Sequence, residues 1–435
     1  HELSNVRFCT TTGTTGAPKK IIFTPERMSD FRWEAISSTV QLLYRYRVRK
    51  TSLFVLASHK KDDSFSSLVL HNSGKPSYLV GLFEPAKHLN HPAMMRRIDQ
   101  YGANAVRLWL AVISDPGVLY GTNPSTISGF FSEVFVRWTE TTAMIRDYYN
   151  EPDHFKDILP ILYQVASRGY NQRIQAIAEA NQPLKLTEYW PSLSAWCSWD
   201  GGYVRQYISQ VESYLPPSEY PHIPMFSMST EALETLSYYG KRGDISFLPV
   251  GKNIVYEFLP EGSNDEAKYL LKPAELKIGQ EYTMVISDNY GLLRYQTDDV
   301  FMCRRFIRNV PDLRFVRRRG IAYSFTGEKL TGEQLTKVFD IMLINNTWLK
   351  NTNAQMSCFP CRNEGGVPYY QLVIVPTRGV IKTAIPEHKI IEDFENILSV
   401  VNNEFKKKRM SGRLGQSKMC FIDYNTLATH ADRRT

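Results

Sequence analysis

The sequence predicts an α/β protein built from a large and a small domain, and three features of the chain support this prediction. Helix-like stretches alternate with short β-branched runs over the first half of the chain, which is typical of helices that cover a sheet. Between residues 245 and 306, closely spaced strands and turns indicate an antiparallel, barrel-like section. The length of 435 residues exceeds one ordinary domain, and 43% hydrophobic residues can build a sizeable core.

The first half of the chain begins with a strand, a polar loop and a second strand. Val6-Arg7-Phe8 leads into the loop, and Ile21-Ile22-Phe23 leaves it. Apolar periodicity then predicts helices and short runs predict strands. The predicted helices cover residues 30–45, 95–101 and 124–149, and the predicted strands cover 53–56 and 78–80.

The second half changes from strands to a small α+β unit. Strands are predicted at 254–259 and 282–286, and Asp288-Asn289-Tyr290-Gly291 supplies turn residues before a further strand at 292–295. After the arginine-rich segment 317–319, the pattern predicts a helix at 335–343, a strand at 370–375, a helix at 390–405 and a closing strand. We therefore place a large domain at 1–316 and a small mobile domain at 317–435.

The charge balance favours small anionic ligands such as nucleotides at least as well as a polymer. The chain carries 52 Lys and Arg against 44 Asp and Glu, a formal net charge of +8. Basic residues are spread out except at 317–319 and 406–409, and a nucleic-acid interface needs a larger continuous patch. We expect no nucleic-acid partner and a ligand about the size of a nucleotide.

The sequence carries no sign of a secreted or membrane protein. No apolar stretch approaches the roughly 18 residues of a spanning helix, and the first residues lack the basic head and apolar run of a signal peptide. Only Cys358 and Cys361 are closely spaced, and no second pair completes a zinc site, so a redox pair stays open as an alternative to ordinary reduced thiols. We expect a cytoplasmic protein and, because the chain starts at His1 rather than Met, a segment that precedes it.

The polar loop after the first strand is the most informative segment, and it reads Thr11-Thr12-Gly13-Thr14-Thr15-Gly16-Ala17-Pro18-Lys19. Its glycines let the backbone approach a ligand closely, and its hydroxyls, amides and lysine can surround phosphate oxygens. It is not a Walker loop, because two residues rather than four separate the glycines and a strand follows. A polar hairpin turn is the alternative.

Two further segments carry carboxylates. Phe226-Ser227-Met228-Ser229-Thr230-Glu231 places an acid after two hydroxyls, although Thr230 and Glu231 would equally suit a helix N-terminus. Tyr295-Gln296-Thr297-Asp298-Asp299-Val300 places two acids side by side.

These three segments resemble the signatures of the adenylate-forming superfamily and occur in the same order. The loop resembles its phosphate-binding signature, the second segment its aromatic-Gly-x-Thr-Glu motif, and the third its Tyr-Arg-x-Gly-Asp motif. The resemblance implies that Thr230 contacts the α-phosphate of ATP, Glu231 ligates Mg²⁺ and Asp299 accepts the ribose hydroxyls. The phosphates would be held by the loop residues Thr11, Thr12, Gly13, Thr14, Thr15, Gly16 and Lys19.

One branch of that superfamily is similar over most of the chain. The acyl acid amido synthetases, which conjugate auxin and jasmonate in plants and have bacterial relatives, resemble it at 121–125, 190–207, 279–295, 315–335 and 412–418. The resemblance implies that Lys418 is the mobile catalytic lysine. It also assigns Gly202, Ser229, Tyr295 and Arg317 to the nucleotide site.

Three positions depart from the family pattern. Asp298 stands where the motif has a glycine, and Gln296 stands where it has an arginine. Ser417 replaces the aromatic residue before the lysine. A second carboxylate beside Asp299 would repel the triphosphate, so a nucleotide-binding relative without catalysis stays open.

The resemblance implies an ATP- and Mg²⁺-dependent ligase with two half-reactions. A carboxylic acid attacks the α-phosphate of ATP, giving an acyl-adenylate and pyrophosphate. An amine, usually of an amino acid, then attacks the acyl carbon, giving an amide and AMP. The open alternatives are an acyl-CoA ligase or adenylation enzyme that transfers to a thiol, and the non-catalytic nucleotide-binding relative.

Overall fold

A computed structural model of the chain describes residues 7–10, 20–48, 50–56, 88–240, 244–319, 322–323, 330–361, 367–377, 387–410 and 414–423. The chain divides into two compact units. The first comprises His1–Asp200 and Tyr207–Phe315, and the second comprises Gly201–Gln206 and Val316–Thr435. The predicted strand at 78–80 lies outside the described residues.

The first unit contains a parallel sheet covered by helices, as the sequence predicts. Its strands are β3 Leu53–Val55, β4 Val118–Tyr120, β5 Ala195–Ser198 and β6 His222–Pro224, paired in that order. The helices up to this point are α1 Pro25–Arg45, α2 Pro92–Tyr101, α3 Ala103–Ser114, α4 Pro124–Val136, α5 Trp138–Thr141, α6 Ala143–Asn150, α7 Leu159–Val165, α8 Tyr170–Glu179, α9 Leu186–Tyr189 and α10 Gln206–Glu212. Short 3₁₀ helices occur at His88–Asn90, Pro152–Ile158, Gly202–Arg205, Ala267–Tyr269 and Pro273–Glu275.

Helix α3 lies at the centre of the largest hydrophobic core. From Leu108 to Ile113 every side chain is fully buried, and a helix that is apolar on all sides is stable only inside a protein. The expected single helix over 124–149 is wrong, because the structure has α4, α5 and α6 there. At the break the Thr142 hydroxyl donates to the Trp138 carbonyl at 2.6 Å, a side-chain bond that competes with the helical ladder.

The section after residue 230 is antiparallel, as the sequence predicts. The hairpin β7 Leu236–Tyr239 and β8 Ile245–Leu248 precedes a four-stranded sheet of β9 Ile254–Pro260, β10 Glu281–Asp288, β11 Tyr295–Ile307 and β12 Val310–Arg318, while β1 Arg7–Thr10 and β2 Lys20–Phe23 form their own hairpin. The predicted strand start at Leu292 is wrong. Asp288 Oδ1 accepts from the amides of both Tyr290 and Leu292 at 2.9 Å, so the turn extends to Arg294.

The second unit has its own core and a three-stranded sheet. The sheet order is β15 Gln355–Cys361, β16 Tyr369–Val375 and β17 Lys418–Phe421, with β17 parallel to β16. Its other elements are β13 Ala322–Tyr323, β14 Leu330–Thr331, α11 Gly332–Asn345, α12 Thr347–Asn351, α13 Glu387–Val401 and α14 Asn403–Met410. The expected helix at 390–405 is divided at Asn402, whose Oδ1 accepts from the Phe405 amide at 2.8 Å and so caps α14.

None of the helices in the described ranges combines the length and the apolar character that crossing a bilayer requires.

A buried carboxylate ties β8 to β11 and β12 in the first unit. Asp312 is 0% exposed, and its Oδ1 accepts from the Phe247 amide at 2.9 Å. The guanidinium groups of Arg304 and Arg305 donate to the same carboxylate at 2.9 Å. Two arginines therefore balance the charge of Asp312, and one backbone amide donates a further hydrogen bond to it.

Asp312→Ala should lower the free energy of unfolding of the first unit by about 3 kcal/mol, the scale for removing one partner of a buried ion pair. Urea titration followed by tryptophan fluorescence measures the loss. Asp153→Ala removes an exposed carboxylate and is the matched control. Equal midpoints for the two variants would show that Asp312 contributes no more than a surface charge.

Candidate active site

The segment that carries Glu231 is a tight turn between β6 and β7. Met228 bridges Leu233 across it, and the Ser229 amide donates to the Ala232 carbonyl at 2.9 Å. No helix begins at this point in the structure, so the alternative of a helix cap is wrong. The turn places Thr230 and Glu231 at its tip, with Ser229 and Thr230 partly exposed.

Glu231 is held from two sides. Its Oε1 accepts a hydrogen bond from Tyr295 Oη at 2.8 Å, and its backbone carbonyl accepts one from Arg27 Nη2 at 2.6 Å. The carboxylate is buried, so its orientation is fixed before any ligand arrives. Two of the three motif segments, which are 64 residues apart at these positions, therefore meet through one side-chain hydrogen bond.

Arg27, which no sequence motif marks, organises this region. Its guanidinium pairs with Asp288 Oδ2 at 3.1 Å, and the two side chains are 5% and 3% exposed. It also donates to the Ile22 carbonyl at 2.9 Å. Burial lowers the pKa of Arg27 against the opposing effect of Asp288, Tyr290 and Glu231. An arginine in the first turn of a helix ordinarily faces solvent, so no local pattern distinguishes this one.

A β-bulge positions the two acids of the third segment. Thr283 pairs with Val300 and Val285 pairs with Gln296, so three residues of β11 lie opposite Met284 alone. The Thr297 hydroxyl donates to the Met284 carbonyl at 3.0 Å. Such bulges redirect side chains beside active sites, and here the bulge buries Asp299 while Asp298 stays partly exposed.

Asp298 has the left-handed backbone that its position demands. Its φ is 63°, a conformation that glycine adopts without steric cost and aspartate tolerates. The family pattern has a glycine at this position because glycine adopts this left-handed backbone conformation without steric cost. Gln296 Nε2 donates to Asp298 Oδ1 at 3.4 Å, which joins the two departures on one face of the strand.

The carboxyl group that accompanies Asp299 belongs to Glu234, which no sequence motif marks. Glu234 accepts from Ser227 Oγ at 2.5 Å and lies within hydrogen-bond reach of Asp299. Burial, followed by the Asp299 charge, raises the pKa of Glu234 well above its ordinary value. Its sequence signal is an acid inside the otherwise mostly apolar run Ala232-Leu233-Glu234-Thr235-Leu236.

The remaining described candidates lie in the second unit. Lys418 is the exposed first residue of β17, and its Nζ lies 4.3 Å from the ring centroid of Tyr369. The Ser417 amide donates to Glu395 Oε1 at 2.7 Å, which anchors the residue before the lysine. Gly202 has a left-handed φ of 61°, and Arg317 Nε lies 4.0 Å from Glu333 Oε2.

The phosphate-loop candidates are outside the described residues. This holds for Thr11, Thr12, Gly13, Thr14, Thr15, Gly16 and Lys19. Their assignment stays a prediction. The structure does describe the antiparallel pair β1 and β2 on both sides of them, with Thr10 opposite Lys20.

Models of one family match most of the first unit, and the segment 226–231 lies between the two matched ranges. The model of the GH3 family N-terminal domain matches residues 4–220, and that of the GH3 family central domain matches residues 247–318. The chain belongs to the GH3 family. This confirms the family that the sequence resembles.

Curated GH3 relatives match a limited part of the chain. The indole-3-acetic acid-amido synthetase GH3.4 of Arabidopsis thaliana is 27% identical over 166 residues, which are 36% of this chain and 27% of that protein. The probable indole-3-acetic acid-amido synthetase GH3.9 of Oryza sativa subsp. japonica is 27% identical over 160 residues, 36% of this chain and 35% of that protein. The match therefore spans about a third or less of each relative's length.

Solved GH3 structures share the fold over nearly the whole chain. The GH3.15 acyl acid amido synthetase superposes with a TM-score of 0.73 at 18% identity, covering 98% of this chain and 77% of that one. The AtGH3.15 acyl acid amido synthetase in complex with 2,4-DB gives 0.71 at 16% identity, with the same coverage. The adenylate-forming fold expected from the sequence is confirmed.

Asp298→Gly should leave the chain folded and raise its free energy of unfolding by up to about 1 kcal/mol, because it relieves a left-handed non-glycine residue. Thermal unfolding by circular dichroism measures the change. Thr297→Gly, one residue earlier, loses the hydroxyl bond to Met284 and should be destabilising. A lower midpoint for Asp298→Gly would contradict this account of the bulge.

Proposed function

We propose that this chain is an ATP-dependent ligase that adenylates a carboxylic acid and transfers the acyl group to an amine, in most cases that of an amino acid. Membership of the GH3 family supports the reaction class. The observation that carries the proposal is the hydrogen bond between Tyr295 and Glu231, because it joins two of the nucleotide-site segments. Asp299, on the same strand as Tyr295, completes the group.

Each residue of this candidate site suits one part of ATP. The Glu231 carboxylate and the Thr230 hydroxyl at the turn's tip suit the α-phosphate region, with the loop 11–19 assigned to the other phosphates. Asp299 suits the ribose, because one carboxylate can accept hydrogen bonds from two hydroxyl groups. Catalysis of phosphoryl-centre attack rests on charge placement rather than on a covalent group of the protein.

Glu231 also fits a magnesium ion. It is an oxygen ligand with a fixed orientation, and Mg²⁺ is ordinarily bound by one or two carboxylates together with substrate phosphates. In the part of the chain that the structure describes, no group of three or more His, Cys, Asp or Glu gathers to hold a metal. A bound Mg²⁺ would supply charge neutralisation between the phosphates.

The second half-reaction needs no nucleophile from the protein. The acyl-adenylate is already activated, so a neutral amine can attack the acyl carbon directly. Burial raises the pKa of the Cys197 and Cys358 thiols, which disfavours the thiolate that an acyl-enzyme would need. Lys418 supplies the positive charge that bridges the incoming carboxylate and the α-phosphate in the first half-reaction.

The test is a screen of carboxylic acids, including indole-3-acetic acid, for ATP-dependent pyrophosphate release with hydroxylamine as the adenylate trap. Once an acid is found, twenty amino acids, simple amines and coenzyme A are supplied in parallel. Amide formation without thioester supports the proposal. A dominant thioester would make the protein a thiol ligase, and ATP binding without pyrophosphate release from any acid would make it a non-catalytic relative.

Lys418→Ala should lower the adenylation rate by about 10²- to 10³-fold, the scale for losing one charged transition-state contact. Stability should change little, because the lysine is exposed. Pyrophosphate release measures the rate, and Lys406→Ala, an exposed lysine on α14, is the control. An unchanged rate in the Lys418 variant removes this residue from the mechanism.

Glu231→Gln should raise the Mg²⁺ concentration needed for half-maximal activity, since a neutral amide is a poorer ligand for a hard cation. The amide retains an oxygen that can accept from Tyr295, so the fold is preserved. Magnesium titration of pyrophosphate release is the measurement. A curve that superimposes on that of the wild type would leave Glu231 with a structural role only.

A further inference from the structure

Glu234 is the most deeply buried acid near the proposed nucleotide site. It is 1% exposed, against 7% for Asp299. The Ser227 hydroxyl donates to its Oε2, while its Oε1 has no hydrogen-bond donor among the described residues. The Asp299 side chain lies within hydrogen-bond reach of the same carboxyl group. Two carboxyl groups thus face each other away from water.

Two buried carboxylates within hydrogen-bond reach of each other cannot both be ionised, because like charges repel strongly where water does not screen them. The nearby groups do not reverse this. Glu231 in the adjoining turn adds negative charge, Tyr256 of β9 is a neutral phenol whose pKa burial raises, and the Ser227 hydroxyl is a single neutral donor. One proton must therefore lie between Glu234 and Asp299.

The surroundings place that proton on Glu234. It is the more buried of the two acids, and burial disfavours the charged form. Burial is also the largest of the causes that raise the pKa of Glu234. A protonated carboxyl can donate one hydrogen bond while it accepts another. It thereby satisfies both Ser227 and Asp299.

We propose that Glu234 is a positioning residue that keeps a proton at neutral pH and donates it in a hydrogen bond to Asp299, so that the Asp299 carboxylate stays charged and oriented toward the ribose hydroxyls of the nucleotide. That the ligand of Asp299 is a nucleotide rests on the proposed function. That Glu234 keeps a proton rests only on the buried pair of Glu234 and Asp299. Glu234 acts through Asp299 and does not touch the nucleotide.

Two isosteric variants separate the roles of the pair. Glu234→Gln keeps a donor toward Asp299 and an acceptor for Ser227, but has no proton to lose. Asp299→Asn also relieves the repulsion, yet it removes the charged acceptor for the ribose. Glu234→Ala removes the donor altogether. Glu234→Gln should therefore bind ATP within about threefold of the wild type at pH 7, and Asp299→Asn should bind at least about tenfold more weakly.

The pH dependence of stability tests the proton without any nucleotide. Because the folded pKa of Glu234 is raised above its unfolded value, the folded chain holds a proton that the unfolded chain has lost. Stability is then fully present below the ordinary pKa of 4.5 and falls as pH rises toward the folded pKa, by up to tenfold in the unfolding constant per pH unit. Urea titrations between pH 5 and 9 should show this fall in the wild type, and Glu234→Gln should lack that component.

The outcomes are distinct. Parallel stability profiles for the wild type and Glu234→Gln would overturn the shared proton. A loss of ATP affinity in Glu234→Gln equal to that in Asp299→Asn would place the charge on Glu234 and overturn the positioning role. Weak ATP binding by Glu234→Ala together with near wild-type binding by Glu234→Gln supports the positioning role. If Glu234→Ala does not fold, the ATP affinities of Glu234→Gln and Asp299→Asn still decide whether Glu234 has this role. Absence of ATP binding by the wild type would refute the proposed function, while the stability profiles would still decide the proton.

Discussion

The buried ion pair between Arg27 and Asp288 holds the candidate site together. One guanidinium joins the end of β2, the end of β10 and the backbone of the turn that carries Glu231. A charge this deeply buried is tolerated only when its partners are all in place. The position of Glu231 is consequently set by the packing of α1 on the antiparallel sheet, rather than by its own short turn.

The bulge in β11 is the second constraint, and it acts on the part of the site that we propose holds the ribose. An uninterrupted strand would alternate its side chains between two faces. The extra residues opposite Met284 interrupt this alternation, because Asp299 and the following Val300 are both buried. Together the arginine and the bulge bring the carboxyl groups of Glu234 and Asp299 close to each other and near Glu231. Two carboxyl groups buried side by side are stable when one of them is protonated.

Much of this fold follows from local pattern. Apolar periodicity finds α1 and α11, and continuous apolar runs find the long strands β9 and β10. The run in β10 reflects its burial, because every residue from Tyr282 to Ile286 is buried. The boundaries that fail have side-chain causes that a pattern does not contain, namely the Thr142 hydroxyl, the Asp288 turn and the Asn402 cap. In the site, Glu231, Tyr295 and Asp299 follow from motif resemblance. Arg27 and Glu234 do not, because their roles arise from partners that are distant in the chain or folded back by a turn.

The parallel pairing of β17 with β16 has a consequence for insertions and deletions. Lys418 lies opposite Gln371 as the first residue of a short strand, and the Gly415 amide fixes the approach by donating to the Pro368 carbonyl at 2.8 Å. Because successive side chains of a strand point to opposite faces, a shift of one residue would turn the lysine to the other side of the sheet. The length of the segment 414–417 therefore sets the register of Lys418 in β17. The number of its residues, more than their identity, decides on which face the ammonium group emerges, so a change of length there would be far harder to accommodate than a change of residue.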